Sequence, residues 1–277
     1  MVVNNVIETP QREREREYRL IQGDCLDVMK SIQDNSIDLT VTSPPYDNLR
    51  LYKGNADEWN FDKFMAIAKE LYRVTKNGGV IIWVVGDAVV KGSETGTSFR
   101  QALYFKEIGF RLHDTMIYKK MNPVPQNHNR YEQYFEYMFV FSKGKPNTFN
   151  PIMVATKRGG EIQDYSKRSS LDSKQNRRPK GGTQIETIKQ TKMHSNIFEY
   201  GIGGGKTGHP AVFPEKLAED QIISWSNEGD LVFDPFAGSG TTGKMALLNN
   251  RKFVGIELDE GYMEIARQRI ENALNDL

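Results

Sequence analysis

The stretch Asp230-Leu-Val-Phe-Asp-Pro-Phe-Ala-Gly-Ser-Gly-Thr-Thr-Gly-Lys244 constrains the fold more than any other part of the chain. Leu231-Val232-Phe233 has the length and composition of a buried strand. The run stops at Asp234-Pro235, because proline has no N–H to offer a ladder. Gly238, Gly240 and Gly243 follow, and beyond Thr241 and Thr242 the pattern Met245-Ala246-Leu247-Leu248 is helical. Strand, glycine turn and helix together make a cofactor cradle. The glycines admit a close ligand, and the start of the helix offers free backbone N–H donors.

Three ligand classes compete for such a cradle. Gly238-x-Gly240-x-x-Gly243 satisfies a dinucleotide fingerprint, with Glu257 as the ribose acid 19 positions after Gly238. Gly238-x4-Gly243-Lys244 satisfies most of a P-loop, but Met245 stands where a hydroxyl should hold Mg²⁺. A dinucleotide is disfavoured by Asp234, whose carboxylate faces the place of a pyrophosphate. S-adenosylmethionine carries an ammonium and a sulfonium, which a carboxylate attracts, and a ribose diol for Glu257. It fits the charges best.

With 277 residues the chain has room for one large α/β domain and an insertion. Cys25 is its one cysteine, so no internal disulfide forms and a reducing compartment is expected. The longest apolar run, Val80 to Val85, is too short to span a bilayer. The start, Met1-Val-Val-Asn-Asn, lacks the basic and apolar regions of a signal peptide. The expectation is a soluble, cytoplasmic protein. The formal charge of +1 conceals an asymmetry: residues 143–206 hold 13 Lys+Arg against 5 Asp+Glu, the remainder 24 against 31. A basic module on an acidic body is one usual form of a nucleic-acid contact; the alternative is a solvated loop.

Residues 1–17 read as a charged arm. A strand at 18–23 precedes helix-like Cys25–Ile32, with Cys25 on the apolar side as a core thiol rather than a nucleophile. The strand Ser36–Thr42 ends in Ser43-Pro44-Pro45-Tyr46. Two prolines at a strand tip force a rigid turn without N–H donors, leaving carbonyls and the Ser43 hydroxyl beside an aromatic face. That suits a planar heteroaromatic amine. Further on, the pattern gives helix 61–74, strand 80–85, helix 99–108, strands 113–118 and 137–141, and after the basic middle helix 214–226, strand 231–234, helix 241–249, strand 253–258 and helix 260–275. The seven strands predict a doubly wound, mostly parallel α/β sheet. His113, His128, His194 and His209 show no ligand spacing, so no catalytic metal is expected.

Asp-Pro-Phe-Ala-Gly-Ser-Gly-Thr-Thr with Gly255-Ile-Glu-Leu-Asp259, paired with Thr42-Ser-Pro-Pro-Tyr46, resembles the motif set of the amino-methyltransferases that modify DNA bases. The catalytic motif precedes the cofactor motif, as in that family's circularly permuted β class. Gly23-Asp24 is similar to the motif whose acid contacts the cofactor's adenine. His209-Pro-Ala-Val-Phe213-Pro-Glu-Lys-Leu217 is similar to the motif leading into the helix at the methionine end.

The resemblance implies a methyltransferase-type sheet with a catalytic half at 18–142, a target-recognition insertion at 143–206 and a cofactor half at 207–277. It implies S-adenosylmethionine as cofactor, contacted by Asp24, Phe213, Asp234, Pro235, Phe236, Ala237, Gly238, Gly240, Thr241, Thr242, Glu257 and Leu258. Ser43, Pro44, Pro45 and Tyr46 become the catalytic turn, holding a base flipped from double-stranded DNA. Lys157, Arg158, Lys167, Arg168, Arg177, Arg178 and Lys180 become the DNA-binding cations. Ser-Pro-Pro-Tyr and His-Pro-Ala-Val-Phe-Pro resemble cytosine-N4 members more than adenine-N6 members, which usually show Asp-Pro-Pro-Tyr. Methylation at cytosine C5 is rejected, since Cys25 lacks the Pro-Cys setting of that class. An RNA or protein N-methyltransferase and a dinucleotide oxidoreductase would share the glycines. A restriction endonuclease acting on the same site is a partner the resemblance admits.

Overall fold

The computed structural model describes residues 17–45, 59–122, 130–164, 169–171, 177–179, 185–201 and 214–275. The apolar runs become the strands of one sheet: β1 (Tyr18–Gln22), β2 (Ile37–Thr42), β3 (Thr75–Val85), β4 (Arg111–Lys120), β5 (Phe135–Ser142), β6 (Ile197–Tyr200), β7 (Leu231–Asp234) and β8 (Lys252–Glu257). They lie in the order β1-β8-β7-β2-β3-β5-β4-β6. Only β5 runs antiparallel, between β3 and β4. Strands buried on both faces read as unbroken apolar runs, and Val80 to Val85 are all buried.

The helices are α1 (Cys25–Met29), α2 (Phe61–Val74), α3 (Thr97–Glu107), α4 (Glu215–Trp225), α5 (Thr241–Leu248) and α6 (Glu260–Asn275). They pack in two groups, α1-α2-α3 and α4-α5-α6. Chain order explains the division. From β7 the chain moves toward β8, whereas from β2 it moves toward β3, so right-handed crossovers place their helices on opposite faces. α2 shows the local logic. Phe64, Ile67, Ala68 and Leu71 form one stripe at helical spacing and are fully buried. They meet Trp83, Phe105 and Phe141 in the main core. Truncating Leu71 to alanine there would cost about 2–5 kcal/mol.

Asn60 caps α2 by accepting from Lys63 N–H at 2.9 Å. Its far end is held by Lys143, whose ammonium donates to the Tyr72 and Thr75 carbonyls at 2.7 and 3.0 Å. Charge alone assigns Lys143 to the basic module, yet in the fold it serves a helix end.

The sheet has eight strands rather than seven. The additional one, β6, pairs in parallel with β4 inside the stretch read as insertion. Ile197-Phe-Glu-Tyr200 alternates exposed and buried residues, with Phe198 and Tyr200 inward. Four residues within a glycine-rich basic stretch carry too weak a period to be read alone.

Residues Pro151–Ser195 form a compact unit of their own, narrower than the 143–206 span suggested by charge. Three antiparallel pairings nest within it: 153–155 with 191–193, 162–164 with 185–187, and 169–171 with 177–179. The Thr156 and Gly160 N–H groups bridge the gap between the first two pairings by donating to the Gln190 and Ile188 carbonyls. Across the described residues these pairings therefore follow a two-stranded, ribbon-like path.

Candidate active site

Beside each other at the centre of the sheet, β7 and β2 lead away in opposite directions. Their carboxyl ends therefore form the crevice where open α/β sheets bind ligands. β7 runs into the glycine loop and β2 into Ser43-Pro44-Pro45. Thr42, the last residue of β2, donates its hydroxyl to Asp234 Oδ1 at 2.6 Å. Asp234 Oδ1 also accepts the Phe236 N–H at 3.0 Å, which closes the turn at Pro235. Thr42 stands inside the Thr-Ser-Pro-Pro-Tyr motif, yet nothing along the chain marks its hydroxyl as a link to Asp234.

Asp234 is 1% exposed. Burial pushes its carboxyl up to about 6, against the opposing hydrogen bonds from Thr42, Phe236 N–H and Thr242, and the Glu257 charge adds to the rise. Thr242 lies wholly inside as well, its hydroxyl donating to the Val41 carbonyl at 3.1 Å. The glycine loop is thus fastened to β2 at two points.

Glu257 ends β8. Its two oxygens accept from Gly238 N–H at 2.8 Å and Asp259 N–H at 2.9 Å. Burial raises its pKa, which these backbone donors partly oppose. Each carboxylate oxygen keeps a further lone pair for a ligand hydroxyl. Ala237 N–H reaches the Ile256 carbonyl at 2.9 Å, so the turn rests on β8 as well. Leu258, next along, is 46% exposed. Phe236 sets its ring edge-on to Trp59 at 5.6 Å.

Gly240 opens α5 at φ 76 without a side-chain cap, leaving first-turn N–H groups for a ligand. Two of the glycines have packing reasons besides. A Cβ on Gly240 would stand 2.8 Å from Ala266 Cβ, and one on Gly243 2.5 Å from the Phe253 ring. With no side chain in the way, α5 closes onto α6 and β8, the close helix–strand approach that a third glycine permits in such loops.

Asp24 follows β1, and Gly23 N–H donates to the Glu257 carbonyl at 3.0 Å, which sets the tips of β1 and β8 side by side. Asp24 Oδ1 caps α1 by accepting Leu26 N–H, and Oδ2 pairs with Lys63 Nζ, each at 2.8 Å. Partial burial would raise this carboxyl, but Lys63 and the Leu26 N–H outweigh it and hold it below the usual range. Lys63 escapes the sequence reading, since nothing along the chain links it to a residue 39 positions earlier. Cys25 is a buried thiol, pushed up to about 12 by that burial and by the Asp24 charge. It stays protonated.

The donor set fits S-adenosylmethionine. Three carboxylates, Asp24, Glu257 and Asp234, end neighbouring strands at this edge, suiting an amine, a diol and a cationic tail. Cations beside the cradle are already engaged by acids: Lys63 pairs with Asp24, and Lys244 and Arg269 both hold Glu215, each at 2.8 Å. A pyrophosphate would find carboxylates where it needs cations. Among the described residues, no cluster of three potential metal ligands occurs, and no helix is long and apolar enough to cross a membrane.

Ser43, Pro44 and Pro45 lie at the carboxyl end of β2 beside this cradle, Pro44 buried and its neighbours half-buried. Tyr46 and Phe213 lie outside the described residues, as do Lys167, Arg168 and Lys180. Lys157 and Arg158 are exposed on the ribbon, Arg158 paired with Glu161 at 2.7 Å. Arg177 and Arg178 lie on its distal strand pair. The structure brings the described residues among those expected to hold the cofactor to the same edge as Ser43-Pro44-Pro45; the ribbon residues belong to the separate unit.

Residues 37–268 match the N6_N4_Mtase family model, described as DNA methylase. The orphan methyltransferase M.BamHII of Bacillus amyloliquefaciens is 52% identical, the match covering 88% of this chain and 92% of that protein. The DNA adenine methyltransferase YhdJ of Escherichia coli is 28% identical over 92% of this chain and 83% of its own. Among solved structures, the cytosine-N4-specific PvuII DNA methyltransferase superposes with a TM-score of 0.67 at 22% identity, covering 94% of this chain and 90% of that one. With its proline turn ahead of its glycine loop, and a match spanning most of its length, this chain belongs to the DNA methylase family, in the motif order of the β-class amino-methyltransferases.

Proposed function

We propose that this DNA methylase transfers the methyl group of S-adenosylmethionine to the N4 amine of a cytosine flipped out of duplex DNA. The observation carrying this reading is the Thr42–Asp234 bond, which ties the acceptor-rich turn to the glycine loop. When bound, the cofactor supplies an electrophilic methyl group on a sulfonium.

The protein's task is the nucleophile. An exocyclic amine is poor because its lone pair is delocalised into the ring. Ser43 Oγ and the Pro44 carbonyl accept the two amino hydrogens, drawing the nitrogen toward tetrahedral geometry and localising the pair. Tyr46 stacks on the base, which must leave the helix to reach the turn. Anchoring the turn to the glycine loop holds the amine in line, so orientation supplies much of the acceleration. Serine rather than aspartate at position 43 favours cytosine. Asp24 meets the cofactor's adenine, Glu257 its ribose and the Asp234 field its cationic end, while Phe213 closes the methionine side.

DNA is gripped by the ribbon at 151–195, which carries 10 Lys+Arg against 4 Asp+Glu. A major groove admits a two-stranded ribbon, and such a ribbon is marginal in water without something to lie against. Lys157, Arg158, Lys167, Arg168, Arg177, Arg178 and Lys180 contact phosphates. A cognate restriction endonuclease is required by no step of this reaction. A chain whose one thiol is a buried core group suits the reducing cytoplasm. Single-turnover methylation by Ser43→Ala tests the reading: a slow chemical step with unchanged cofactor affinity supports it, and full activity overturns the acceptor role.

A further inference from the structure

Lys63 stands in the first turn of α2, where the helix dipole disfavours a cation and an acid would be the stabilising choice. Its backbone is fixed by the Asn60 cap. Its ammonium reaches Asp24 Oδ2 at 2.8 Å, with the two side chains only 22% and 27% exposed. Asp24 does not need this cation to cap α1, since the Leu26 N–H already engages Oδ1. What the ion pair adds to the cap is orientation of the second oxygen, so that both oxygens of Asp24 are held. That carboxylate lies at the tip of β1, beside Glu257 on β8. The lysine comes from α2, the first long helix after the Ser43-Pro-Pro turn among the described residues.

We propose that Lys63 is a positioning residue for the cofactor's base: by fixing Asp24 Oδ2 it makes the carboxylate accept the 6-amino group of adenine and reject a 6-oxo purine. The inference rests on the placement of Asp24 at the adenine. A carboxylate held by two donors presents its remaining lone pairs in set directions. An amino group meets them as a donor; an oxo group meets them lone pair to lone pair. Sites built to hydrogen-bond a particular substrate group discriminate strongly against an analogue lacking it, because buried polar groups are left unpaired. Without Lys63 the carboxylate can turn about its χ2 bond, and the direction is lost.

The test is calorimetric titration of the full chain with S-adenosylmethionine and with its 6-oxo counterpart, S-inosylmethionine. Wild type should prefer the adenine form by about 100-fold or more. Lys63→Met should shrink that preference about tenfold or more, mainly by weakening the adenine form, and Lys63→Arg should restore most of it. Lys63→Gln serves where methionine disturbs the fold. If Lys63→Met and Lys63→Gln lower the melting temperature but keep the preference, while Asp24→Ala abolishes it, the ion pair is a clamp between α1 and α2 and the inference falls alone. If wild type shows no preference, or Asp24→Ala retains it, Asp24 is not at the adenine and the site assignment falls with the inference.

Discussion

Thr42 Oγ1 and Asp234 Oδ1, 192 residues apart in sequence, meet at 2.6 Å inside the protein. The bond joins the end of the strand that carries the proline turn to the end of the strand that carries the glycine loop. Everything proposed about catalysis depends on those two loops keeping a fixed separation.

Thr42→Val should expose that dependence. Removing the hydroxyl leaves a buried carboxylate oxygen with one donor fewer, at a cost of about 1–3 kcal/mol. Chemical denaturation should show that loss, and methylation should fall by more than cofactor affinity does. An equal fall in both would mean that the bond serves the cradle and not the turn.

A pH effect follows from Asp234. Burial first, then the Glu257 charge, raise its carboxyl to about 6 despite the Thr42, Phe236 and Thr242 hydrogen bonds. An unfolded aspartate titrates near about 3.9. Between these values the folded state binds more protons, so this group's contribution to stability declines as pH rises through the window. Cofactor affinity should move the other way, rising through pH about 6 as the carboxylate ionises to meet the cation. Asp234→Asn should remove both slopes. A wild-type affinity flat from about pH 5 to 7 would show that the charge of Asp234 does not reach the ligand.

Much of this site was legible because each of its parts is local. Asp234-Pro235 ends a strand, the closely spaced glycines mark a turn, and Ser43-Pro-Pro forces another; none needs a distant residue to be recognised. What escaped depends on distant neighbours. Gly240 and Gly243 read as ligand-facing, and only the fold reveals Ala266 and Phe253 pressed against them. Lys143 reads as a basic-module cation, while its carbonyl partners at the end of α2 lie about 70 residues away. The ribbon stayed hidden because its strands of three residues bury almost nothing, so no apolar alternation marks them. β6 was lost for a related reason, being four residues long within a stretch dominated by charge.

Replacing Arg177, Arg178 and Lys180 by alanine should weaken DNA binding. If each cation neutralises one phosphate, the slope of log affinity against log salt should shrink by about 2–3. Cofactor affinity, measured alongside, should stay the same. An unchanged slope would mean that these charges only solvate the ribbon.

Ser43→Ala should slow methylation by roughly tenfold to a thousandfold, the span between one neutral hydrogen bond and one that strengthens in the transition state. Tyr46→Phe should be mild and Tyr46→Ala severe, because stacking needs the ring and not the hydroxyl. Rapid-quench single-turnover rates separate these from changes in cofactor binding.

The most direct measurement is the product. Duplex DNA incubated with the protein and methyl-deuterated S-adenosylmethionine, digested to nucleosides and analysed by mass spectrometry, should yield labelled N4-methylcytosine. Label found only in N6-methyladenine would contradict the cytosine assignment, and unlabelled nucleosides throughout would contradict the reaction itself.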